Sequence, residues 1–446
     1  MNIIIVGAGE VGTHLAKLLS VENQNIVIMD DKEEKIAALQ ENFDLLGVVG
    51  NPTSINDMEK AGVRTADLFI AVTPEESRNI TACILARSLG AKKTLARIDN
   101  YEYLLPKNKE FFQKLGVESL IYPEMLAAKE IAEAIRRPWV RQWFEFAGGA
   151  LILVGTKVRE GAEILNIPLS ELSKEDNNYH VVAIKRNGET MIPKGNDCIL
   201  ANDIVYFTTT RGNVEYIRKL TGKPDFKIKN ITIMGGSRIA VRATQFLPSD
   251  MKIKIIEENM ARCQWLSEKV SSNTMVIHGD GRDFNLLREE DIQKADAFIA
   301  LTDNSETNIL SCAALKRAGL RKSVAEVENL DYISLAENLD IGTVINKKLI
   351  AASHIYQMML EADVTNVKCL TFADADVAEF IPKEGSRITK SKVKDISLPE
   401  DVVIGGLIRD GRGVIVRGDT QIMLKDHVVV FCLGSGLQKV EKYFNN

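Results

Sequence analysis

The sequence predicts an α/β protein: two tandem lobes built on doubly wound parallel sheets, each followed by a small α+β lobe. Three observations predict it. Short apolar runs alternate with helical stripes. A glycine-rich turn follows the first run at once. The same order then returns 229 residues later and holds its register over several elements.

The first unit opens with Asn2-Ile3-Ile4-Ile5-Val6, a β-branched strand, followed by Gly7-Ala8-Gly9-Glu10-Val11-Gly12. Leu15, Leu18 and Leu19 recur at helical spacing, and Ile26 to Met29 makes a second strand ending at Asp30. This is the strand, glycine turn, helix, strand and acid of a Rossmann-like dinucleotide site. Gly7 permits the tight turn, Gly9 lets a pyrophosphate approach, and Gly12 lets the helix pack close. The free N–H groups at the helix start favour an anion. Asp30, 23 positions after Gly7, is placed to accept from a ribose hydroxyl. Asp31 follows with no basic residue directly adjacent, so a 2′-phosphate would meet two carboxylates, and NAD is preferred to NADP. The bland alternative is that the three glycines serve packing alone.

A charged helix lies within Lys32 to Phe43. Leu45 to Val49 is a third strand, closed by Gly50-Asn51-Pro52-Thr53. A short helix over Asp57 to Gly62 precedes the fourth strand, Ala66 to Val72, and the loop Thr73-Pro74-Glu75-Glu76. A helix over Asn79 to Leu89, a strand over Thr94 to Ile98 and a sixth strand over Ser119 to Tyr122 complete the sheet.

In the second copy Ile231 to Met234 is the strand, Gly235-Gly236-Ser237-Arg238-Ile239-Ala240 the turn, and Glu257 the acid. Gly279, Asp296, Thr302 and Asn308 each lie 229 positions after Gly50, Asp67, Thr73 and Asn79. A smaller element repeats at an offset of 223, with Asn187-Gly188 and Asp203 answering Asp410-Gly411 and Asp426. Asn-Gly and Asp-Gly between apolar runs mark hairpins. The expected domains are residues 1–138, 139–223, 228–363 and 364–446. Two apolar-striped crossover helices, Glu124 to Arg137 and Lys347 to Leu360, are expected to pack either between subunits or within their own lobes.

A chain of 446 residues exceeds one core. A net charge of −5 argues against nucleic acid and anionic lipid as general partners. No run approaches the roughly 20 apolar residues of a membrane span, so a cytoplasmic protein without direct membrane insertion is expected. The six cysteines form no CxxC and the five histidines no metal pattern. His14, beside the glycine turn, is expected to be solvated or capping.

These motifs together, duplicated, resemble the TrkA family, the cytoplasmic nucleotide-binding subunits of bacterial Trk potassium uptake systems. The units are similar to regulator-of-potassium-conductance domains, each a Rossmann-like lobe with a TrkA C-terminal-type lobe. The resemblance implies a regulatory subunit and not an enzyme: NAD+ or NADH, or in relatives ATP and ADP, reshapes a ring that gates a TrkH- or TrkG-type membrane potassium transporter. It implies a cytoplasmic protein, peripheral on the inner face of the membrane through that partner. It also implies a homo-oligomer, four chains making an eight-unit ring. Gly7, Ala8, Gly9, Glu10 and Val11 would contact phosphates and Asp30 the ribose. Thr73 and Pro74 would meet the nucleotide from the fourth strand end, and Arg97 from the fifth. Gly12, Asp31 and Asn51 complete this first set. The counterparts are Gly235, Gly236, Ser237, Arg238, Glu257 and Thr302.

The second copy departs from the pattern. Ser237 replaces the middle glycine, Ala240 the last, and Glu326 stands where Arg97 does. A Cβ at Ser237 hinders a pyrophosphate and an acid repels it, so unequal sites are expected, the first tight and the second weak or empty. The rival reading, an NAD-dependent dehydrogenase, needs a general acid or base beside the nicotinamide. Lys194, Asp203 and His180 are candidates, for which hairpin and surface roles are expected instead.

Overall fold

The computed structural model describes residues 1–446 apart from 21–23, 42, 44, 176–177, 290–291, 360–362, 371–372, 374, 435 and 446. The described residues build four sheets.

The first sheet contains β1 (Asn2–Val6), β2 (Asn25–Asp30), β3 (Leu46–Val49), β4 (Leu68–Ala71), β5 (Lys93–Arg97) and β6 (Ser119–Ile121). Every pairing is parallel and the order is β3-β2-β1-β4-β5-β6. Ile3, Ile5, Leu68, Ile70 and Leu95 are wholly buried, as strands covered by helices on both faces require. The strand order reverses between β1 and β4, which opens a crevice at their C-terminal ends.

The second sheet is antiparallel: β7 (Gln142–Phe146), β8 (Leu151–Lys157), β9 (Tyr179–Arg186), β10 (Glu189–Met191) and β11 (Ile204–Thr209), in the order β10-β9-β11-β8-β7. The β9–β10 turn has positive φ at both Asn187 (53°) and Gly188 (88°), the mirror-image turn that matches strand twist.

The plan repeats in β12 (Asn230–Met234), β13 (Lys252–Glu257), β14 (Thr274–His278), β15 (Ala297–Ala300), β16 (Lys322–Glu326) and β17 (Thr343–Ile345), ordered β14-β13-β12-β15-β16-β17. The fourth sheet, β18 (Asp363–Cys369), β19 (Ala375–Ile381), β20 (Val402–Arg409), β21 (Arg412–Val414) and β22 (His427–Leu433), is ordered β18-β19-β22-β20-β21. Its Asp410-Gly411 turn repeats the positive φ pair at 51° and 73°. The fold class is therefore the one the sequence predicts. The short helix after β3 is Ile55–Lys60, two residues earlier than read, because Ser54 caps it by accepting from Asp57 N. A helix at Pro106–Lys114 has no counterpart in the sequence reading.

The chain divides into two compact units, and their border crosses the repeat. One unit is Met1–Leu126 with Lys347–Met359; the other is Ala127–Asn346 with Leu360–Asn446. The helix Lys347–Met359, which follows the second parallel sheet in sequence, packs against the first helix, Glu10–Ser20. Its His354 Nε2 lies 2.7 Å from Ser119 Oγ, and Lys93 Nζ donates to Met358 O at 2.6 Å. Leu360, the expected helix end, lies outside the described residues. In the other unit, the body of the helix Pro123–Arg136 meets the second half, where Arg136 Nη2 donates to Phe246 O at 2.6 Å. The helix Lys347–Met359 thus finds its partner in the opposite half of the same chain, a packing neither expectation included, and Pro123–Arg136 reaches that half through Arg136.

His14 departs from its expected solvated role: it is 6% exposed and sits near Lys348 of the exchanged helix. Asp203, raised as a catalytic candidate, is bound bidentately by Arg186 at 2.9 and 2.7 Å. Arg409 and Asp426 repeat the pair at 2.8 and 2.6 Å.

Candidate functional site

The glycine turn joins β1 to the first helix at the crevice. Its three glycines are required for three separate reasons. Gly7 has φ +102° and so needs glycine conformationally. A Cβ on Gly12 would lie 1.8 Å from Gly7 O, so this glycine lets the helix approach the turn. A Cβ on Gly9 would meet nothing within 4 Å. Neither packing nor φ demands glycine there, and the open space is what a closely approaching phosphate needs. Packing therefore accounts for Gly12 but not for Gly9.

Thr13 N donates to Gly9 O at 2.8 Å as the first helical bond. The N–H groups of Glu10, Val11 and Gly12 have no acceptor within the helix and carry its positive end. Asp30, 9% exposed at the end of β2, accepts from Ala8 N at 2.7 Å and Lys32 N at 3.0 Å. One carboxylate thereby ties the turn to the second strand and keeps lone pairs for a hydroxyl.

Asp31 is exposed, and Arg78 pairs with it at 3.0 Å, which holds its carboxyl below the usual range. Arg78 also reaches Asn51 Oδ1 at 3.4 Å, and Lys35 lies 3.8 Å from Asp30. The two carboxylates are not without cations, which weakens the charge argument against a 2′-phosphate. Thr73, 7% exposed, is fixed by Asn79; Pro74 next to it is exposed. The guanidinium of Arg97 goes to Glu124, itself 6% exposed. Gly7 to Gly12, Asp30, Asp31, Asn51 and Thr73 thus gather at the ends of β1 to β4, while Arg97 is engaged at the end of β5.

The second turn keeps the geometry with changed chemistry. Gly235 has φ +96°. Glu257 accepts from Gly236 N at 2.8 Å and Asn259 N at 2.9 Å, as Asp30 does in the first copy. Ser237 caps its helix by accepting from Ala240 N at 3.3 Å, and Arg238 is exposed. Thr302 is fixed by Asn308.

A cavity of about 650 Å³ opens here, between Ser237, Glu257 and Thr302. Arg262, Trp265 and Arg282 are among the lining residues that sequence reasoning missed. Arg262 donates to Gly236 O at 2.9 Å and lies over the Trp265 ring at 4.0 Å; Arg282 pairs with Asp280 at 2.8 Å. Arg262 and Trp265 are one turn apart on the helix Met260–Lys269, the only signal the sequence carried. Glu326 is buried and does not line the cavity. The acids that do line it are Glu257, Glu258, Asp280 and Asp303, so the charge opposing a phosphate comes from these, beside the Cβ of Ser237.

Comparisons with known proteins identify the domains that carry these turns. The TrkA-N domain family matches residues 3–123 and 231–347, and the TrkA-C domain family residues 153–222 and 377–445. The chain is 30% identical over 446 residues to the "Trk system potassium uptake protein TrkA homolog" of Archaeoglobus fulgidus, covering all of both chains. It is 31% identical to the Trk system potassium uptake protein TrkA of Haemophilus influenzae, covering 100% of this chain and 98% of the relative. Among solved structures, the GsuK channel bound to NAD superposes with a TM-score of 0.63 at 16% identity, over 99% of this chain and 78% of that one. The crystal structure of the GsuK RCK domain gives 0.63 at 16%, over 98% and 93%. At that identity the likeness shows the fold alone.

Proposed function

The chain belongs to the TrkA family, and on that premise we propose that it is the regulatory subunit of a Trk-type potassium transporter, switched by a dinucleotide at the first glycine turn. The ligand is NAD+ or NADH, with ATP or ADP as the alternative. The partner is a TrkH- or TrkG-type membrane subunit, held from the cytoplasmic side by an oligomer of this chain. Four chains with two units each would form an eight-unit ring. Among the described residues no helix is long and apolar enough to cross a membrane.

One observation carries this reading. The helix that starts at the phosphate cradle packs on Lys347–Met359, a helix from the other half of the chain. A ligand at Gly7 to Gly12 therefore acts on an element whose docking changes the arrangement of halves. It shifts that arrangement only by its difference in affinity for the two states. We read the protein as a regulator and not an enzyme, since Asp203, a candidate acid, is held by Arg186 in a pair that the repeat duplicates.

Potassium uptake in cells lacking their own TrkA subunit tests the proposal, with rescue by the wild-type chain or by Asp30→Ala. Rescue by the wild type with clear loss in Asp30→Ala is expected. Equal rescue by both would remove the ligand from the mechanism.

A further inference from the structure

A second cavity, of about 580 Å³, lies away from both glycine turns and within one compact unit. Four stretches of chain meet in it: Pro138 to Arg141, the end of β8, the linker Lys223 to Phe226, and the segment from Lys316 to Gly342. Its charge is opposite to that of the protein. Among the described residues it is lined by seven basic side chains and two acidic ones, in a chain whose net charge is −5.

The pairing accounts for only part of this charge. Asp340 takes Arg141, Lys157 at 3.5 Å and Lys316 at 3.4 Å onto one carboxylate. Lys322, 3% exposed, donates to Val140 O at 3.0 Å and Thr343 Oγ1 at 2.9 Å, both neutral acceptors. Arg159, Lys223 and Arg321 add three further cations, with Arg159 and Arg321 exposed at the rim. Asp225 is the second acid.

Like charges confined in one cavity repel, and burial adds to the cost of keeping them charged. Burial and the neighbouring cations Arg159 and Arg141 push Lys223 down to about 7. Burial and Arg141 push Lys322 down to about 7 as well. A multivalent anion relieves this repulsion, and the volume falls within the range of small-molecule sites.

We propose that this cavity is a binding site for a small polyphosphate anion, held by Arg159, Lys223 and Arg321 at the junction of the two halves. Sodium tripolyphosphate and ATP, titrated separately into the full chain by calorimetry, distinguish an inorganic from a nucleotide source. The double variant Arg159→Ser/Arg321→Ser changes exposed residues only. It should bind the tighter of the two anions at least tenfold more weakly, while Lys394→Ser, an exposed lysine paired with Asp419 outside both cavities, leaves that affinity unchanged.

A second readout needs no variant. At pH 7.5 the Lys223 amine should react readily with an acylating reagent, and saturating anion should lower that labelling at least threefold. Absence of binding, equal binding by the double variant, or unchanged Lys223 labelling in the wild type each overturns the proposal. If the double variant fails to fold, the Lys223 labelling decides.

Discussion

Asn79 holds Thr73 with three hydrogen bonds: Oδ1 accepts from Thr73 N at 2.9 Å and from its hydroxyl at 2.7 Å, and Nδ2 donates to Thr73 O at 2.9 Å. Nδ2 also donates to Arg97 O at 2.9 Å, so one carboxamide locks the ends of β4 and β5. Asn308 makes the same set to Thr302 and to Glu326 O. Asn79→Ala would strand several buried polar groups at once and should destabilise the fold by about 3 kcal/mol in urea unfolding. A loss below about 1 kcal/mol would show that the clamp is redundant.

Gly9 and Gly12 separate ligand approach from packing. Gly12→Ala drives a Cβ against Gly7 O and should cost about 2 kcal/mol of stability. Gly9→Ala meets no protein atom within 4 Å. It should leave stability within about 0.5 kcal/mol of wild type and weaken NADH binding at least tenfold. Calorimetry with matched denaturation curves checks both. Unchanged NADH affinity in Gly9→Ala would move the pyrophosphate elsewhere.

The sequence made the sheets legible where burial is two-sided and turns are glycine-marked. Ile3 to Val6 and Phe69 to Val72 read as strands because nothing else buries such short runs. The hairpins were legible because Asn187-Gly188 and Asp410-Gly411 need left-handed backbone. A stripe such as Leu349, Ile350 and Ile355 shows that a face is covered but not by what. The exchange of Lys347–Met359 between halves therefore had no sequence signal. Long-range pairs were equally silent: Arg78 reaches Asp31 across 47 positions, and Glu124 claims Arg97 across 27.

Lys322 should make stability rise with pH. Its folded pKa, about 7, lies below the ordinary lysine value of 10.5. Between these values the unfolded chain binds more protons, so unfolding becomes harder as pH increases. The groups facing it are Arg141, Lys223 and Lys316, of which Lys223 is itself pushed down to about 7. From pH 7 to 9 the wild type should gain about 2 kcal/mol relative to Lys322→Met, which lacks the titration. Denaturation of both chains at the two pH values gives this difference, and parallel curves would refute the buried-cation assignment.

His14 should make the first unit acid-sensitive in the same sense, in a lower pH window. It is buried between the first helix and the exchanged helix, and among the described residues its Nε2 has no hydrogen-bond partner. Burial, with Lys348 and Lys17 nearby, lowers its pKa from 6.5 to about 4. Above pH 6.5 the imidazole is neutral in both states and costs nothing. Between 6.5 and 4 the unfolded chain takes a proton that the folded chain refuses, so stability falls as pH falls. From pH 7 to 5 the wild type should lose about 2 kcal/mol more than His14→Gln. Because the contact joins two helices, the loss should concentrate there: amide exchange in Lys347–Met359 should accelerate at pH 5 in the wild type, after correction for intrinsic rates, and not in His14→Gln. Equal acid sensitivity in the two chains would place the weak point elsewhere than at the docking of the exchanged helix.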